Sequence, residues 1–396
     1  MEMKRILIYF RHFNNVIGGG EYLPLLFIAE LQKYCDVTLA LDRQSDVKHA
    51  AAMYGISINI SKLKIAIVKP SIYFIAQLDA VLPFYRTWQL KRLARKADIC
   101  ISCLNMFDFG KPAHHFIYRL SVFGDNAFYD YYHHEKPLTG IALFWRRTRT
   151  FLAEKILRPL LRVRSTRMIL ADSREHIYPN STYVEKTMMN FYGSFNSTVF
   201  YPPTLLDFHV MNVQRDPYKI VYIGRIHPEK RITDIVEIIE KARKATGLNL
   251  TFHIAGSLAH VPVFTQKLKH IAEEKEWIKL VGQLSGTPKE EFLLSGSYAI
   301  HAERDETFGI SITEYLKAGL VTIVPDEGGS CEIVSSPALT YHTNEEASQI
   351  LTRLLQHADF LVEQRSFCQK RAKCFSRQAY EKRQNKLLLD IIGNSC

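Results

Sequence analysis

The chain has 396 residues, 47% hydrophobic and 23% charged, with a formal net charge of +11. Those proportions exclude a disordered or fibrous chain, and the length exceeds one ordinary core, so two domains are expected. No run reaches the roughly 18 unbroken apolar residues of a membrane span; the nearest, IAIVKPSIYFIAQLDAVLPFY, is broken by Lys69, Pro70 and Asp79.

In chain order, MEMKRILIYF enters an apolar strand with no leader pattern, which leads us to expect a cytoplasmic protein. The strand RILIYF, the loop RHFNNVIGGGE, the helical run YLPLLFIAELQKY and the strand DVTLALD form a βαβ unit. ADICISCL and TRMILADS are expected as further strands. The seven cysteines lack the regular spacing of a disulfide scaffold, and Cys100 and Cys103 fit a buried strand better than half a zinc site. The basic charge is concentrated. Trp145 to Arg167 carries eight basic residues against the single acid Glu154, interleaved with Leu, Ile and Phe, and Arg86 to Asp98 is a smaller version. Such stretches suit an anionic surface such as a membrane face, or are solvated helix faces; no nucleic-acid motif accompanies them.

The second half alternates more regularly. YKIVYIG, LNLTFHIAG, IKLVG, SYAIHA and LVTIVP are expected as strands, separated by the helices ITDIVEIIEKARKATG, FTQKLKHIAEEKE, PKEEFLLSG and ISITEYLKAG. This alternation predicts an α/β chain with parallel sheets covered on both faces. The boundary is expected at the Pro-containing FYPPTLLDFH, giving domains 1–203 and 204–375 and a terminal helix over 376–396 that packs back on the first domain.

Ligands of such sheets bind beyond the carboxyl ends of the strands, where this sequence places its chemistry. Arg225 and Lys230 follow Gly224 in GRIHPEK, two cations suited to a diphosphate or simply solvated. In ETFGISITE, the amides of Phe308, Gly309 and Ile310 would face an anion. Glu306 and Glu314 would grip vicinal hydroxyls, or else serve as a dipole-compensating loop residue and a surface residue. Gly328 and Gly329 make a further glycine turn, and Gly18 and Gly19 follow the first strand where a phosphate-facing loop would sit. Neither a dinucleotide fingerprint nor a P-loop is present.

Together GRIHPEK, ETFGISITE and AGLVTIVPDEGGSCEIV, with FSRQAYEKR near the end, resemble the retaining glycosyltransferases of family four, the glycosyl transferases group 1. The resemblance implies a GT-B fold, two Rossmann-like domains facing a cleft, and transfer of a hexose from a UDP- or GDP-linked donor to an acceptor glycan or glycolipid. It implies that Arg225 and Lys230 hold the diphosphate, that Glu306 grips the donor sugar, that Glu314 binds the ribose, and that no metal or cofactor is needed. The family's first-domain histidine has no direct match; Leu120 occupies its slot, and His114, His115 and Arg119 are the nearby substitutes. Two rival expectations are a non-hydrolysing sugar-nucleotide epimerase, which would need an acid/base set that is not assembled here, and a non-catalytic partner subunit.

Overall fold

The computed structural model describes residues 3–13, 19–69, 82–118, 120, 127–128, 131, 148, 151–204, 206, 208, 213–258 and 261–393. Gly18 and Arg119, together with most of 121–150, lie outside them. Two compact units emerge: Met1–Tyr201 with Lys382–Cys396, and Pro202–Glu381.

The first unit holds β1 (Arg5–Phe10), β2 (Asp36–Leu41), β3 (Lys64–Ile67), β4 (Ile99–Leu104), β5 (His114–Ile117) and β6 (His176–Pro179). They form one sheet in the order β3-β2-β1-β4-β5-β6, parallel throughout, with Ile8 opposite Leu39 on one side and Ile101 on the other. Ile6 to Phe10 are all buried, as expected of a central strand covered on both faces. Tyr9 illustrates how such a strand carries polarity inward: its ring packs edge-on against Phe107 at 4.6 Å, while its hydroxyl donates to Asp42 at 2.7 Å.

One expected strand is a helix. Thr166–Leu170, within TRMILADS, is helical because the Ser165 hydroxyl accepts the Met168 amide at 3.2 Å. An N-cap of this kind outweighs a short β-prone run. Conversely, the four-residue strands β3, β5 and β6 are too short to register as a sequence period.

Arg164, in the basic stretch that suggested an anionic surface, is spent internally. It bridges Asp108 (Nε–Oδ1 2.9 Å) and Glu175 (Nη2–Oε1 2.7 Å), carboxylates whose side chains are 2% and 1% exposed. Asp108 also takes Lys91 at 2.7 Å, and Glu175 accepts the Ala113 amide at 2.7 Å. Arg167 lies over the rings of Phe191 and Tyr192.

The second unit repeats the pattern with β7 (Lys219–Ile223), β8 (Thr251–Ala255), β9 (Ile278–Gly282), β10 (Tyr298–Ile300), β11 (Val321–Pro325) and β12 (Thr340–Tyr341). Their order is β12-β11-β10-β7-β8-β9. Between β7 and β8 runs the helix Ile232–Thr246, whose Ile232, Ile235, Ile238, Ile239 and Ala242 are buried at helical spacing. The helix expected to begin at Pro288 starts two residues earlier, spanning Gly286–Leu294. In each sheet the strand order reverses beside the first strand, at β1/β4 and at β7/β10. Crossovers leave to opposite faces there, so the loops part and open a crevice at the carboxyl ends.

Candidate active site

The second unit's expected site residues converge on its switch point. From β7 the chain passes Gly224 and Arg225 into a short turn, Pro228–Lys230. From β10 it passes His301 and Glu303 to Glu306, then enters the helix Ile310–Lys317. Tyr315 of that helix ties the two strands' ends together. Its hydroxyl accepts the Ile223 amide at 2.7 Å and donates to the Ile223 carbonyl at 3.1 Å. The Tyr222 hydroxyl donates to the Arg225 carbonyl at 3.2 Å, fixing the start of the loop.

At the centre Lys230 Nζ donates to Glu306 Oε2 at 2.6 Å and also to Glu303 Oε2. The lysine side chain is 12% exposed and each carboxylate 15%. Behind them lies His301, 2% exposed, with Nε2 3.6 Å from Glu306. Among the described residues neither of its ring nitrogens has a hydrogen-bond partner. Burial pushes the imidazole down to about 4, so it is neutral at physiological pH. Burial and the neighbouring Glu306 push Glu303 up to about 8. Glu306 is held below the ordinary carboxylate range: burial opposes this, but the charge of Lys230 and hydrogen bonds from Glu303 and Lys230 prevail. One proton and one ammonium thus serve two carboxylates. His301, Glu303 and Glu306 place their ligand atoms within 4.8 Å of one another, a spacing a metal ion could use; the cation that lies among them is the Lys230 ammonium.

Two glycines make this packing feasible. Gly309, at φ 85°, caps Ile310–Lys317 in the left-handed region, which lets the chain turn sharply from Glu306 into the helix. Gly329 donates its amide to the Glu306 carbonyl at 2.6 Å, and a Cβ there would stand 2.3 Å from the Thr307 carbonyl oxygen. Because that obstacle is backbone, Gly329→Ala is expected to displace the Glu306 loop and destabilise the unit by about 1–3 kcal/mol. Thermal unfolding together with nucleotide affinity would show both losses, and a variant unchanged in both would refute the packing argument.

The other expected residues are placed as follows. Arg225 is exposed and enters none of the ion pairs among the described residues. Phe308 is buried and packs edge-on against Phe375 at 5.8 Å, so its side chain supports the loop while its backbone precedes the Gly309 turn. Glu314 is 3% exposed and bonds Lys289 Nζ at 2.7 Å. It is therefore a buried, oriented carboxylate rather than a surface residue. Sequence reasoning missed Lys289, which is one charge among several in the short helical run PKEEFLLSG, and His301, which was absorbed into the strand pattern of SYAIHA.

In the first unit Gly19 is the first residue of the helix Gly19–Leu31. His114 and His115 open β5, at its amino end. His115 is a core histidine, with Nδ1 2.8 Å from the Ser102 hydroxyl and Nε2 3.0 Å from Glu175. His114 stacks on His176 at 4.9 Å and faces a cavity of about 740 Å³ that Tyr178 and Lys386 also line. Both histidines therefore lie at the end of the sheet away from the carboxyl-end crevice.

Residues 207–373 match the family model described as glycosyl transferases group 1. That match lies within the second unit and spans nearly all of it. Two Rossmann-like units in one chain are the GT-B fold, as the sequence motifs implied. HepE of Anabaena, solved with UDP and glucose, superposes with a TM-score of 0.64 at 13% identity, covering 97% of this chain and 99% of its own. A glycosyltransferase from Rickettsia africae gives 0.66 at 12% identity over 100% of both chains. A GDP-Man:Man(3)GlcNAc(2)-PP-Dol alpha-1,2-mannosyltransferase of Eremothecium gossypii is 26% identical over 145 residues, 34% of this chain and 25% of the relative. The chain thus spans about a quarter of that relative's length. No helix among the described residues is long and apolar enough to cross a membrane.

Proposed function

We propose that this protein is a retaining group 1 glycosyltransferase that moves a hexose from a UDP- or GDP-linked donor to an acceptor hydroxyl on a glycan or glycolipid. The observation that carries this reading is the meeting of Lys230 with Glu306 at the β7/β10 switch point, 2.6 Å apart and largely buried. Departure of a nucleoside diphosphate places negative charge on the β-phosphate, and a fixed cation in a low-dielectric site stabilises that charge without reorganising. Lys230 supplies it from within the crevice and Arg225 from the rim. Glu306, kept ionised, accepts hydrogen bonds from donor-sugar hydroxyls, and Glu314, held by Lys289, does the same for the ribose. With Glu306 committed to Lys230, no carboxylate in the cluster stands free as a general base. This favours same-face attack in which the departing phosphate takes the acceptor proton, with no metal required. The exposed part of the basic stretch would hold the protein on the inner membrane face near a lipid-linked acceptor.

UDP, GDP, dTDP and ADP offered in turn test the donor site. A nucleotide bound at about 100 times its Kd adds roughly 2.7 kcal/mol of stability, so one member of the panel is expected to raise the melting temperature clearly. Glu306→Ala is expected to abolish sugar transfer from the corresponding nucleotide sugar. If no nucleotide shifts the wild type, or the variant transfers at the wild-type rate, the proposal fails.

A further inference from the structure

The Lys230 ammonium has one more carboxylate than it needs. Glu306 alone would neutralise it, yet Glu303 reaches the same Nζ from three residues earlier in the loop. His301, walled in behind them with both ring nitrogens unpartnered among the described residues, offers two hydrogen-bonding positions the cluster leaves unused. An incoming diphosphate must draw Lys230 away from part of this arrangement. We propose that Glu303 is a counter-charge latch on Lys230, holding the ammonium in the donor-free protein and competing with the donor diphosphate for it.

The latch follows from the geometry and from charge balance, resting on the donor site proposed above. A diphosphate brings at least two negative charges to a cluster that already holds one ammonium and two carboxyl groups. Glu306 stays ionised as a hydroxyl acceptor in that reading. Where Glu303 is ionised it has two courses: stay so and repel the phosphate, or take a proton from solvent and turn from Lys230 toward the His301 ring. Only the second admits the donor, so protonated Glu303 is the binding-competent form.

The groups that face Glu303 are Lys230 from the Pro228–Lys230 turn, Glu306 from its own loop, His301 from the end of β10 and the Tyr222 phenol from β7. Lys230 is raised from its ordinary value, with burial opposing and the two glutamates prevailing; burial raises the phenol well above its own. His301 and Glu306 sit far below neutrality. Glu303, pushed up to about 8 by burial and Glu306, is therefore the member of this cluster that titrates between pH 7 and 9. The sign follows from linkage: donor binding weakens Lys230's hold on Glu303 and raises its affinity for a proton further. Affinity is thus full while Glu303 is protonated and falls as pH rises through its free-state value.

The test is calorimetric titration of the full chain with UDP and with GDP at pH 7, 8 and 9, for the wild type and for Glu303→Gln. A terminal phosphate ionises near pH 6, so the phosphate's own charge is constant over this range, and the partial ionisation of the uracil or guanine ring near pH 9 is common to wild type and variant. We expect wild-type Kd to weaken about tenfold from pH 7 to pH 9, with net proton uptake visible in buffers of different ionisation enthalpy. Glu303→Gln, always uncharged, is expected to vary less than about twofold and to bind about tenfold more tightly than wild type at pH 9, a 1.4 kcal/mol difference. A wild-type affinity that is flat across the range, or one that declines in parallel in the variant, overturns the latch while leaving the donor site standing. If the variant does not fold, the wild-type pH dependence and proton count alone decide. Wild type binding neither nucleotide at pH 7 would overturn the donor site, and the latch with it.

Discussion

Replacing Lys230 with methionine is expected to lower kcat/KM for sugar transfer by about 10²–10³, the effect seen when one preorganised charge-stabilising group is removed from an active site. Methionine keeps the stem's volume but removes the ammonium that joins Glu303 and Glu306. At 4 Å and an effective dielectric near 20, one unit-charge interaction is worth roughly 4 kcal/mol, more than enough for such a loss even after partial compensation. Arg225→Ala is expected to lose far less, because Arg225 is exposed and its interaction with phosphate is screened by solvent. Steady-state kinetics with each donor, at saturating acceptor, separates the two. An Lys230→Met enzyme within about threefold of wild type would remove Lys230 from the chemistry. The substitution also leaves two adjacent carboxyls without a cation, so Glu306 should lose its depressed pKa and share a proton with Glu303 at neutral pH.

Replacing Glu175 with alanine is expected to destabilise the protein by about 3–5 kcal/mol, through the first unit and away from the proposed donor site. The Glu175 carboxylate is 1% exposed and satisfies three groups at once: Arg164 at 2.7 Å, His115 at 3.0 Å and the Ala113 amide at 2.7 Å. Alanine leaves the guanidinium with Asp108 as its main buried counter-ion, and leaves the amide and the imidazole to find other partners. In a unit of this size each kcal/mol shifts the melting temperature by about 2–4 °C, so a drop of roughly 10 °C is expected in a thermal scan. Glu175→Gln, which can still accept from the amide, should fall by less. Equal stabilities for wild type and Glu175→Ala would show that the buried network contributes nothing net.

The contrast between these two clusters marks where sequence reasoning stops. The regular alternation from Lys219 to Pro325 was legible because each element carries its own pattern: short apolar, β-branched runs for strands such as Lys219–Ile223 and Val321–Pro325, isoleucines at helical spacing for Ile232–Thr246. Where elements are short, period gives way to local bonds. Thr166–Leu170 became a helix through one serine cap, and β5 and β6, four residues each, gained their identity from their neighbours in the sheet. Among site residues, Arg225, Lys230, Glu306, Gly309 and Glu314 stood out because they follow strands at spacings a loop-to-helix junction requires. Their partners did not. Glu303 reads as one of several charges in ERDE, Lys289 as one charge on a helix, and Glu175 as a polar residue in a turn.

By itself, then, the sequence determined a doubly wound α/β chain with cations after β7 and carboxylates after β10. These properties depend on residues close together in the chain, where periodicity and turn chemistry act. Only the tertiary structure decided that one lysine meets two glutamates 73 and 76 residues away. It alone decided that His301 is buried behind them, and that Arg164 from the basic stretch is bound inside the first unit. Pairing energy depends on distance through space and on the local dielectric, and both are set only when the strands take their places in the sheet.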